Sequence, residues 1–285
     1  MGKRTRAALT AVLAAVFLLC AAVTAWHLFQ SWKSYSDRQE AERVAGLPSA
    51  QPTPLPMPTL SPETAPPETA SPLPEPLPEE AAALEQVDLD ALREVNPEVI
   101  GWICIPETDL NYPLMFSGDN SYYLNHTWSK ERNAGGAIFL EQECDPELSD
   151  FNVIIYGHRM GNSTMFGSLA YYEEEEYWHD HPSVYLVTDG WVYRYDVFAA
   201  YKTGVRTSTY RLRLTEEEEK QDFIDFCTGR AVYSTGITPT TDGQVLTLST
   251  CTGLGASPDR WVVQGCLAQE YPLTPAPAGE ADKAP

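Results

Sequence analysis

A long apolar stretch near the start of the chain is its strongest hydrophobic feature. Residues Ala7 to Phe29 are apolar at all but three positions. In a helix these 23 residues extend roughly 34 Å, which is enough to cross a bilayer. Residues 1–6 include three basic side chains, which predict a cytoplasmic N-terminus and an exported C-terminus. We therefore expect a transmembrane anchor over 7–29. A removable signal peptide is the alternative, because Val23-Thr24-Ala25 resembles a cleavage site.

A polar and then proline-rich region follows the apolar stretch. Residues 30–45 are polar and charged, and they are expected to extend the helix outward or to fray. From Pro48 to Pro78, 12 of 31 residues are proline, which removes backbone donors and fixes φ. Such a segment behaves as a semi-rigid spacer, up to roughly 95 Å long. The pattern predicts an extracellular linker over 30–79 that holds a folded domain away from the lipid.

Short apolar runs separated by turn signals dominate residues 80–271, which we expect to form the folded domain. Seven runs predict strands: Val99–Ile105, Gly136–Leu140, Phe151–Tyr156, Ser183–Val187, Val192–Ala200, Gln244–Ser249 and Trp261–Leu267. Seven or eight short strands with few helices are typical of a β-barrel or a β-sandwich. The fold class is therefore mainly β, and the proline-containing tail over 272–285 is expected to be disordered.

Two helices are predicted within this β-rich region. Residues Glu79 to Val95 have an approximate apolar stripe, which Pro97 ends. A second helix lies between two predicted strands, where Thr215 and Glu218 have the spacing of a capping box. Gly229 is expected to end that helix.

The net charge and the cysteine content limit the classes of function that the chain could have. The formal net charge of −21 repels phosphate backbones, so a nucleic-acid partner is excluded. None of the six cysteines forms a CxxC or another metal-like spacing, so no metal site is expected. Five cysteines follow the predicted anchor. In an oxidising compartment an odd number leaves at least one thiol unpaired within the chain.

Three side chains near strand ends are candidates for chemistry. Residues Leu246 to Cys251 alternate apolar and small polar positions, which predicts a strand with Cys251 at its end. Arg260 begins the next strand, so antiparallel pairing would place its cation beside the thiol, where it could stabilise a thiolate or an oxyanion. His158 follows the strand that ends at Tyr156, a suitable position for a general acid or base. Local spacing does not establish that His158 and Cys251 meet.

The order of several motifs along the chain indicates a protein family, which local spacing alone does not. Thr247-Leu248-Ser249-Thr250-Cys251 with a following Arg260 resembles the active-site strand of sortases, and Tyr156-Gly157-His158 with Met165-Phe166-Gly167-Ser168-Leu169 resembles their histidine loop. Matches to the class B subgroup are Gly101-Trp102-Ile103, Tyr112-Pro113, Asp119-Asn120, Tyr122-Tyr123-Leu124 and Gly135-Gly136-Ala137-Ile138-Phe139. The N-terminal helix and the helix inserted before the active-site strand fit this subgroup too. The resemblance covers about Leu84 to Leu267.

This resemblance implies an eight-stranded sortase-type barrel and a cysteine transpeptidase. It implies that Cys251 attacks the carbonyl of a threonine in a sorting signal of an exported protein. His158 would act as the acid and then the base, and Arg260 would position the signal and stabilise the oxyanion. Ser249 and Thr250 are expected to line the peptide groove. No cofactor and no metal are implied.

The implied partners are sorting-signal peptides of surface proteins, an amine of a peptidoglycan precursor and the cell membrane, with the catalytic domain outside. A cysteine hydrolase that releases its acyl group to water, a pilin-joining sortase and a non-catalytic surface module are the alternatives. The chain departs from the subgroup after the cysteine, where Thr252 to Gly255 contain no acidic residue. Cys104, Cys144 and Cys266 also lie outside the motifs, and they are expected to be small core residues.

Overall fold

The computed structural model describes residues 3–48, 76–251 and 259–273. Eight strands, numbered β1 to β8 along the chain, are Val99–Cys104, Asn111–Met115, Ile138–Leu140, Asn152–Tyr156, Ser183–Thr188, Trp191–Gly204, Val245–Cys251 and Asp259–Pro272. They close into a barrel in the order β1-β2-β3-β4-β7-β8-β6-β5. The pairs β2–β3 and β4–β7 are parallel, and the other neighbours are antiparallel. The predicted eight-stranded barrel is confirmed.

The strand that the hydrophobic pattern missed is β2. It contains Pro113, which pairs with Trp102 of β1, and proline within a run argues against a central strand. β2 is nevertheless bonded on both sides, to β1 and to β3. Strands β6 and β8 are also longer than predicted, at 14 residues each.

The side chains of β7 point alternately into the barrel interior and toward an outer face that another segment covers. Leu246 and Leu248 belong to the interior apolar cluster, together with Ile155 of β4. Thr247 and Ser249 alternate with them, and side chains at alternate positions of a strand point to opposite faces. The connection between β6 and β7 lies over that outer face, because the Tyr210 hydroxyl bonds the Ser249 hydroxyl at 2.8 Å.

Four α-helices accompany the barrel: α1 at Lys3–Val44, α2 at Leu89–Val95, α3 at Glu175–Asp180 and α4 at Glu217–Thr228. The predicted inserted helix is α4, which lies between β6 and β7 and ends at Gly229. Its predicted capping box is wrong. The helix starts one residue later than the box requires, and the Thr215 hydroxyl donates to the Glu216 carboxylate at 3.3 Å.

The predicted helix over Glu79–Val95 is two separate elements. Residues Glu79–Gln86 form a 3₁₀ helix, and α2 follows after a break at Val87 and Asp88. Asp88 causes the break, because its carboxylate accepts the backbone N–H of Ala91 at 2.8 Å and so caps a new helix.

The position of the predicted linker is corrected by α1. This single helix runs from Lys3 to Val44, and its C-terminal part packs on the barrel, with Ala41 and Ala45 fully buried. Residues 30–45 are therefore part of the folded domain, and the expected linker over 30–79 is wrong for 30–48. The cause is non-local, because the polar face of this segment bonds barrel residues far along the chain.

The flanks of the proline-rich segment both lie on the barrel. Leu47 and Leu77 belong to one apolar cluster, and the Asp88 N–H donates to the Ala45 carbonyl at 3.0 Å. The described residues on both sides of the segment therefore belong to the same folded domain, and the apolar part of α1 joins that domain directly through the helix. The predictions for the spacer over 49–75, for the tail over 274–285 and for Thr252 to Gly255 lie outside the described residues.

Candidate active site

Three adjacent strands bring the predicted residues to one end of the barrel. In the parallel pair β4–β7, Tyr156 is in register with Ser249. His158 and Cys251 each follow two residues later. In the antiparallel pair β7–β8, Cys251 is in register with Arg260. Neighbouring strands are about 4.8 Å apart, so the backbones of His158, Cys251 and Arg260 lie side by side.

Gly157 shapes the turn that carries His158. Its N–H continues the ladder by donating to the Ser249 carbonyl at 3.3 Å. A Cβ at this position would lie 2.7 Å from the Phe166 ring, so only glycine lets the loop fold back so closely. The Phe166 N–H then donates to the His158 carbonyl at 3.0 Å. These contacts fix the His158 backbone next to β7.

The His158 imidazole is half-buried and has a defined partner. Its Nε2–H donates to the Leu124 carbonyl at 2.7 Å. Leu124 ends the short 3₁₀ helix Tyr122–Leu124 between β2 and β3. A neutral imidazole that donates through Nε2 retains Nδ1 as a proton acceptor, so this ring can take up a proton without losing its anchor.

Arg260 lies at the opposite side of the β7 end from His158. Its backbone is in register with Thr203 of β6 as well as with Cys251. The side chain is half-buried, and Nη1 donates to the Asp259 carbonyl at 3.1 Å. Asp259 in turn forms an ion pair with Lys202 at 2.8 Å. The guanidinium therefore supplies a positive charge at the strand ends.

Ser249 and Thr250 lie on the floor of the groove, though little of either is exposed. Their exposed fractions are 1% and 2%. The Ser249 hydroxyl is bonded by Tyr210, whereas the buried Thr250 hydroxyl has no hydrogen-bond partner within the described part of the chain. Both residues therefore contribute mainly shape to the floor.

A groove of about 460 Å³ joins these residues. Its lining includes Asn120, Leu124, Phe139, Glu141, Tyr156, His158, Tyr210, Leu212, Ser249, Thr250 and Arg260. The lining therefore combines the basic side chain of Arg260 and the imidazole of His158 with the carboxylates of Glu141 and Glu143. A groove of this volume with both apolar and polar lining suits a peptide.

The groove contains a hydrogen-bonded cluster that the sequence did not indicate. The Glu141 carboxylate accepts the Asn120 amide at 2.6 Å and the Tyr156 hydroxyl at 2.8 Å. Burial and this neighbouring carboxylate raise the pKa of Tyr156. Glu141 stands alone after β3, with no motif around it, so no sequence signal identifies it.

The pKa values of four other thiols differ from that expected of a nucleophile. Burial raises the pKa of Cys104 and of Cys144 to about 12, and it raises that of Cys227 and of Cys266 to about 11. All four are free. Because the thiolate is the reactive form, we expect these four side chains to react more slowly at neutral pH than an ordinary thiol. Their predicted role as small core residues is consistent with this burial.

No group of three or more His, Cys, Asp or Glu side chains that could hold an ion occurs among the described residues. The expectation of a cofactor-free enzyme stays a prediction.

Comparison with known proteins agrees with the fold. The model of the Sortase domain family matches residues 103–268, which is more than half of the chain. Sortase B of Listeria monocytogenes is 30% identical over 181 residues, which cover 63% of this chain and 74% of that protein.

Solved structures give the same result. The Staphylococcus aureus sortase B–substrate complex aligns with a TM-score of 0.60 and 28% identity, over 64% of this chain and 84% of that one. Sortase B of Bacillus anthracis in complex with AAEK1 aligns with a TM-score of 0.59 and 32% identity, over 64% and 84% of the two chains. The chain belongs to the sortase family of cysteine transpeptidases, and the relatives it matches are of class B.

Proposed function

We propose that this chain cleaves a sorting signal of exported proteins after threonine and transfers the acyl group to an amine of a peptidoglycan precursor. The observation that carries the proposal is the register of β4, β7 and β8, which sets His158, Cys251 and Arg260 at adjacent positions along one end of the groove. A solved sortase B holds its substrate, which supports a peptide as the occupant of this groove.

The first half-reaction forms a thioester. The Cys251 thiolate attacks the threonine carbonyl carbon, and a C–S bond forms. When the tetrahedral intermediate collapses, the C–N bond to the next residue breaks. Protonated His158 gives its proton to the departing amine, so the leaving group is neutral.

The second half-reaction reverses these roles. The amine of the acceptor attacks the thioester carbonyl, and neutral His158 takes up the proton that this amine loses. The C–S bond breaks, a new amide forms, and the Cys251 thiolate and protonated His158 are restored. No cofactor enters either half.

Arg260 stabilises the charge that develops in both halves. Its guanidinium is always protonated and presents several N–H donors, so it can bind the carbonyl oxygen as that oxygen becomes an oxyanion. The same cation favours the thiolate form of Cys251. Ser249 and Thr250 shape the floor on which the signal lies.

The setting of the reaction follows from α1. This helix is long and apolar enough to cross a membrane, by length and composition. We infer that it holds the catalytic barrel on the outer face of the cell membrane, where exported proteins and wall precursors meet.

Peptide ligation by the full-length chain in detergent tests the proposal. Signal peptides that contain Pro-x-Thr are incubated with and without an amine acceptor, and the products are identified by mass. We expect transfer to the amine, and loss of product with Cys251→Ala and His158→Ala. Arg260→Ala should lower kcat/KM by roughly 100-fold or more, the usual cost of an oxyanion donor. Ligation that survives Cys251→Ala would overturn the proposal, and release to water despite saturating amine would identify a hydrolase.

A further inference from the structure

The carbonyl that anchors the His158 imidazole belongs to a residue that is not itself fixed by packing. The ring donates through Nε2 to the Leu124 carbonyl at 2.7 Å. The Leu124 side chain is 44% exposed, so its own contacts do not fix that carbonyl. The preceding residue in the same 3₁₀ helix, Tyr123, is fully buried. The position of the carbonyl therefore depends on how Tyr123 is held.

The Tyr123 hydroxyl is bonded in both directions. It donates to Glu98 Oε2 at 2.6 Å and accepts the Asn96 amide at 2.9 Å. Burial and the neighbouring Glu98 carboxylate raise the pKa of Tyr123, so the hydroxyl keeps the proton that it donates. Asn96 is fully buried too, and its amide also donates to the Trp128 carbonyl at 2.5 Å. The phenol ring is therefore fixed at its far end.

The backbone of Tyr123 is fixed as well. Its carbonyl accepts the Ala137 N–H at 2.9 Å. The residue before Ala137 is Gly136, with φ at +60°, and a Cβ there would lie 2.2 Å from the Tyr123 carbonyl oxygen. Only glycine allows this approach. Because the peptide unit is planar, little freedom remains for the Leu124 carbonyl, which lies one residue further.

We call Asn96, Glu98 and Tyr123 the tyrosine cluster. Among the described residues, the lining of the groove includes Leu124 and His158 but no member of this cluster. Tyr123 packs instead in the apolar cluster that joins α1 and α2 to the barrel. The tyrosine cluster therefore acts on the site only through the Leu124 carbonyl, and not by contact with a peptide in the groove.

We propose that Tyr123 is a positioning residue that, through the Leu124 carbonyl, holds neutral His158 in the tautomer with its proton on Nε2. The inference rests on the proposed function, because it assigns the tautomer a use in proton transfer. With Nε2–H bonded, Nδ1 is the nitrogen that exchanges protons. It gives a proton to the departing amine in the first half-reaction and takes one from the acceptor amine in the second, so the ring returns to its starting state.

Tyr123→Phe in the full-length chain in detergent removes the hydroxyl and keeps the ring. The variant should fold, because Asn96 still bonds the Trp128 carbonyl. Glu98 also keeps its ion pair with Lys130 at 2.8 Å. We expect kcat for peptide ligation to fall about tenfold, a part of the roughly 10²–10⁴-fold that a well-placed general acid or base contributes. KM should stay within about twofold, because the cluster does not contact the peptide.

Tyr185→Phe is the matched control. Tyr185 is also buried, with an exposed fraction of 1%, and its hydroxyl donates to the Glu80 carboxylate at 3.3 Å. It lies on β5, which pairs with β1 and β6 and not with the strands that carry the site. This variant should keep kcat within about twofold. An equal loss of kcat in both variants would overturn the proposal, as would an unchanged kcat in Tyr123→Phe.

The tautomer itself is read from the ¹⁵N chemical shifts of the histidine side chains. The Cys251→Ala chain is used at pH 8.5, where an ordinary histidine is neutral, and His158→Gln identifies the signal. We expect the Nε2–H form to predominate and the Nδ1–H form to rise several-fold when Tyr123→Phe is added. A predominant Nδ1–H form without that substitution would overturn the proposal. So would a lower kcat with an unchanged tautomer ratio, since this would show a merely structural role.

The tautomer measurement needs no peptide, so it separates this proposal from the proposed function. A change of tautomer in Tyr123→Phe, without any ligation by the unmodified chain, would contradict transpeptidation and support the positioning of His158. Ligation by the unmodified chain with the same kcat in Tyr123→Phe would support transpeptidation and reject the role of Tyr123.

Discussion

Among single residues, the cysteines differ sharply in their surroundings. Cys144 and Cys227 are buried, and each donates or accepts a weak bond inside the domain, to the Asn152 carbonyl and from the Tyr201 hydroxyl respectively. Cys251 ends a strand whose neighbour begins with a guanidinium. The fold thus buries two of these thiols, whereas the backbone of Cys251 lies at a strand end beside that of Arg260.

A residue-scale prediction concerns thiol labelling. A charged, water-soluble alkylating reagent at pH 7.5 should modify Cys251 in the native full-length chain and leave Cys104, Cys144, Cys227 and Cys266 unmodified, because burial keeps those four protonated. Mass spectrometry of the peptides would locate the label. The Cys251→Ala chain is the control, and labelling of any of the four in that chain without denaturant would contradict the prediction.

The sequence could indicate His158, Cys251 and Arg260 because each lies at the end of a recognisable strand. It could not show that these residues lie close together, because the parallel pairing of β4 with β7 joins segments that are 93 positions apart in the sequence. Glu141 was not predictable at all. Its place in the groove wall depends on burial and on bonds to Asn120 and Tyr156, which no local pattern contains.

At the scale of elements, α1 is the clearest example of a helix whose role depends on distant partners. Its buried Arg38 forms ion pairs with Glu42 and Asp109, and Glu42 accepts the Asn111 amide at 3.0 Å. Asp37 accepts the Asn133 amide at 2.7 Å. These polar residues made the segment look like a solvent-exposed continuation of the anchor.

An element-scale prediction follows for Arg38. Arg38→Ala should lower the free energy of unfolding by about 3–5 kcal/mol, because it leaves the buried Glu42 carboxylate without its cation. Arg43→Ala is the matched control, since Arg43 is on the same helix but exposed and paired with exposed Glu40. It should cost less than about 1 kcal/mol. Urea unfolding followed by tryptophan fluorescence measures both, and equal costs would show that the α1 contacts do not stabilise the barrel.

The elements that the hydrophobic pattern predicted differ physically from the elements that it missed. Strands such as β4 and β7 have apolar interior positions and clear turn signals, so their own residues identify them. β2 contains a proline, and α1 beyond residue 30 has a polar contact face. Both are defined by their contacts, with β1 and β3 for the strand and with the barrel wall for the helix. The contacts with β3 and with the barrel wall join segments that are distant in sequence.

At the scale of the whole molecule, the path of α1 determines where the barrel lies relative to the apolar part of this helix. The apolar part of the helix continues without a break into the part that packs on the barrel. Exposed aromatic side chains, Trp26, Phe29 and Trp32, lie between the two, and such residues are enriched at membrane interfaces. The continuous helix therefore holds the barrel directly beside its own apolar part. If α1 spans a membrane, as proposed above, the barrel lies at the membrane surface.

Alkaline pH should weaken the whole domain through its buried thiols. In the folded chain the pKa of Cys144 is raised from 9.0 to about 12 and that of Cys227 from 9.0 to about 11. A group whose pKa is raised by folding contributes its full stability below the unfolded value and loses it as pH rises toward the folded value. The unfolded chain therefore releases these protons first, and the window of loss is from pH 9 to about 11.

The free energy of unfolding should fall by about 2 kcal/mol for each of these thiols between pH 8.5 and 10.5. Buried tyrosines such as Tyr172, whose pKa burial raises well above 10.0, steepen the fall at the upper end. Urea unfolding at intervals of half a pH unit measures the slope. Cys144→Ala should reduce the total fall by one thiol's share, whatever its effect at neutral pH. A stability that stays level to pH 10.5 would show that neither thiol is shielded from water, and the distinction between them and Cys251 would then be lost.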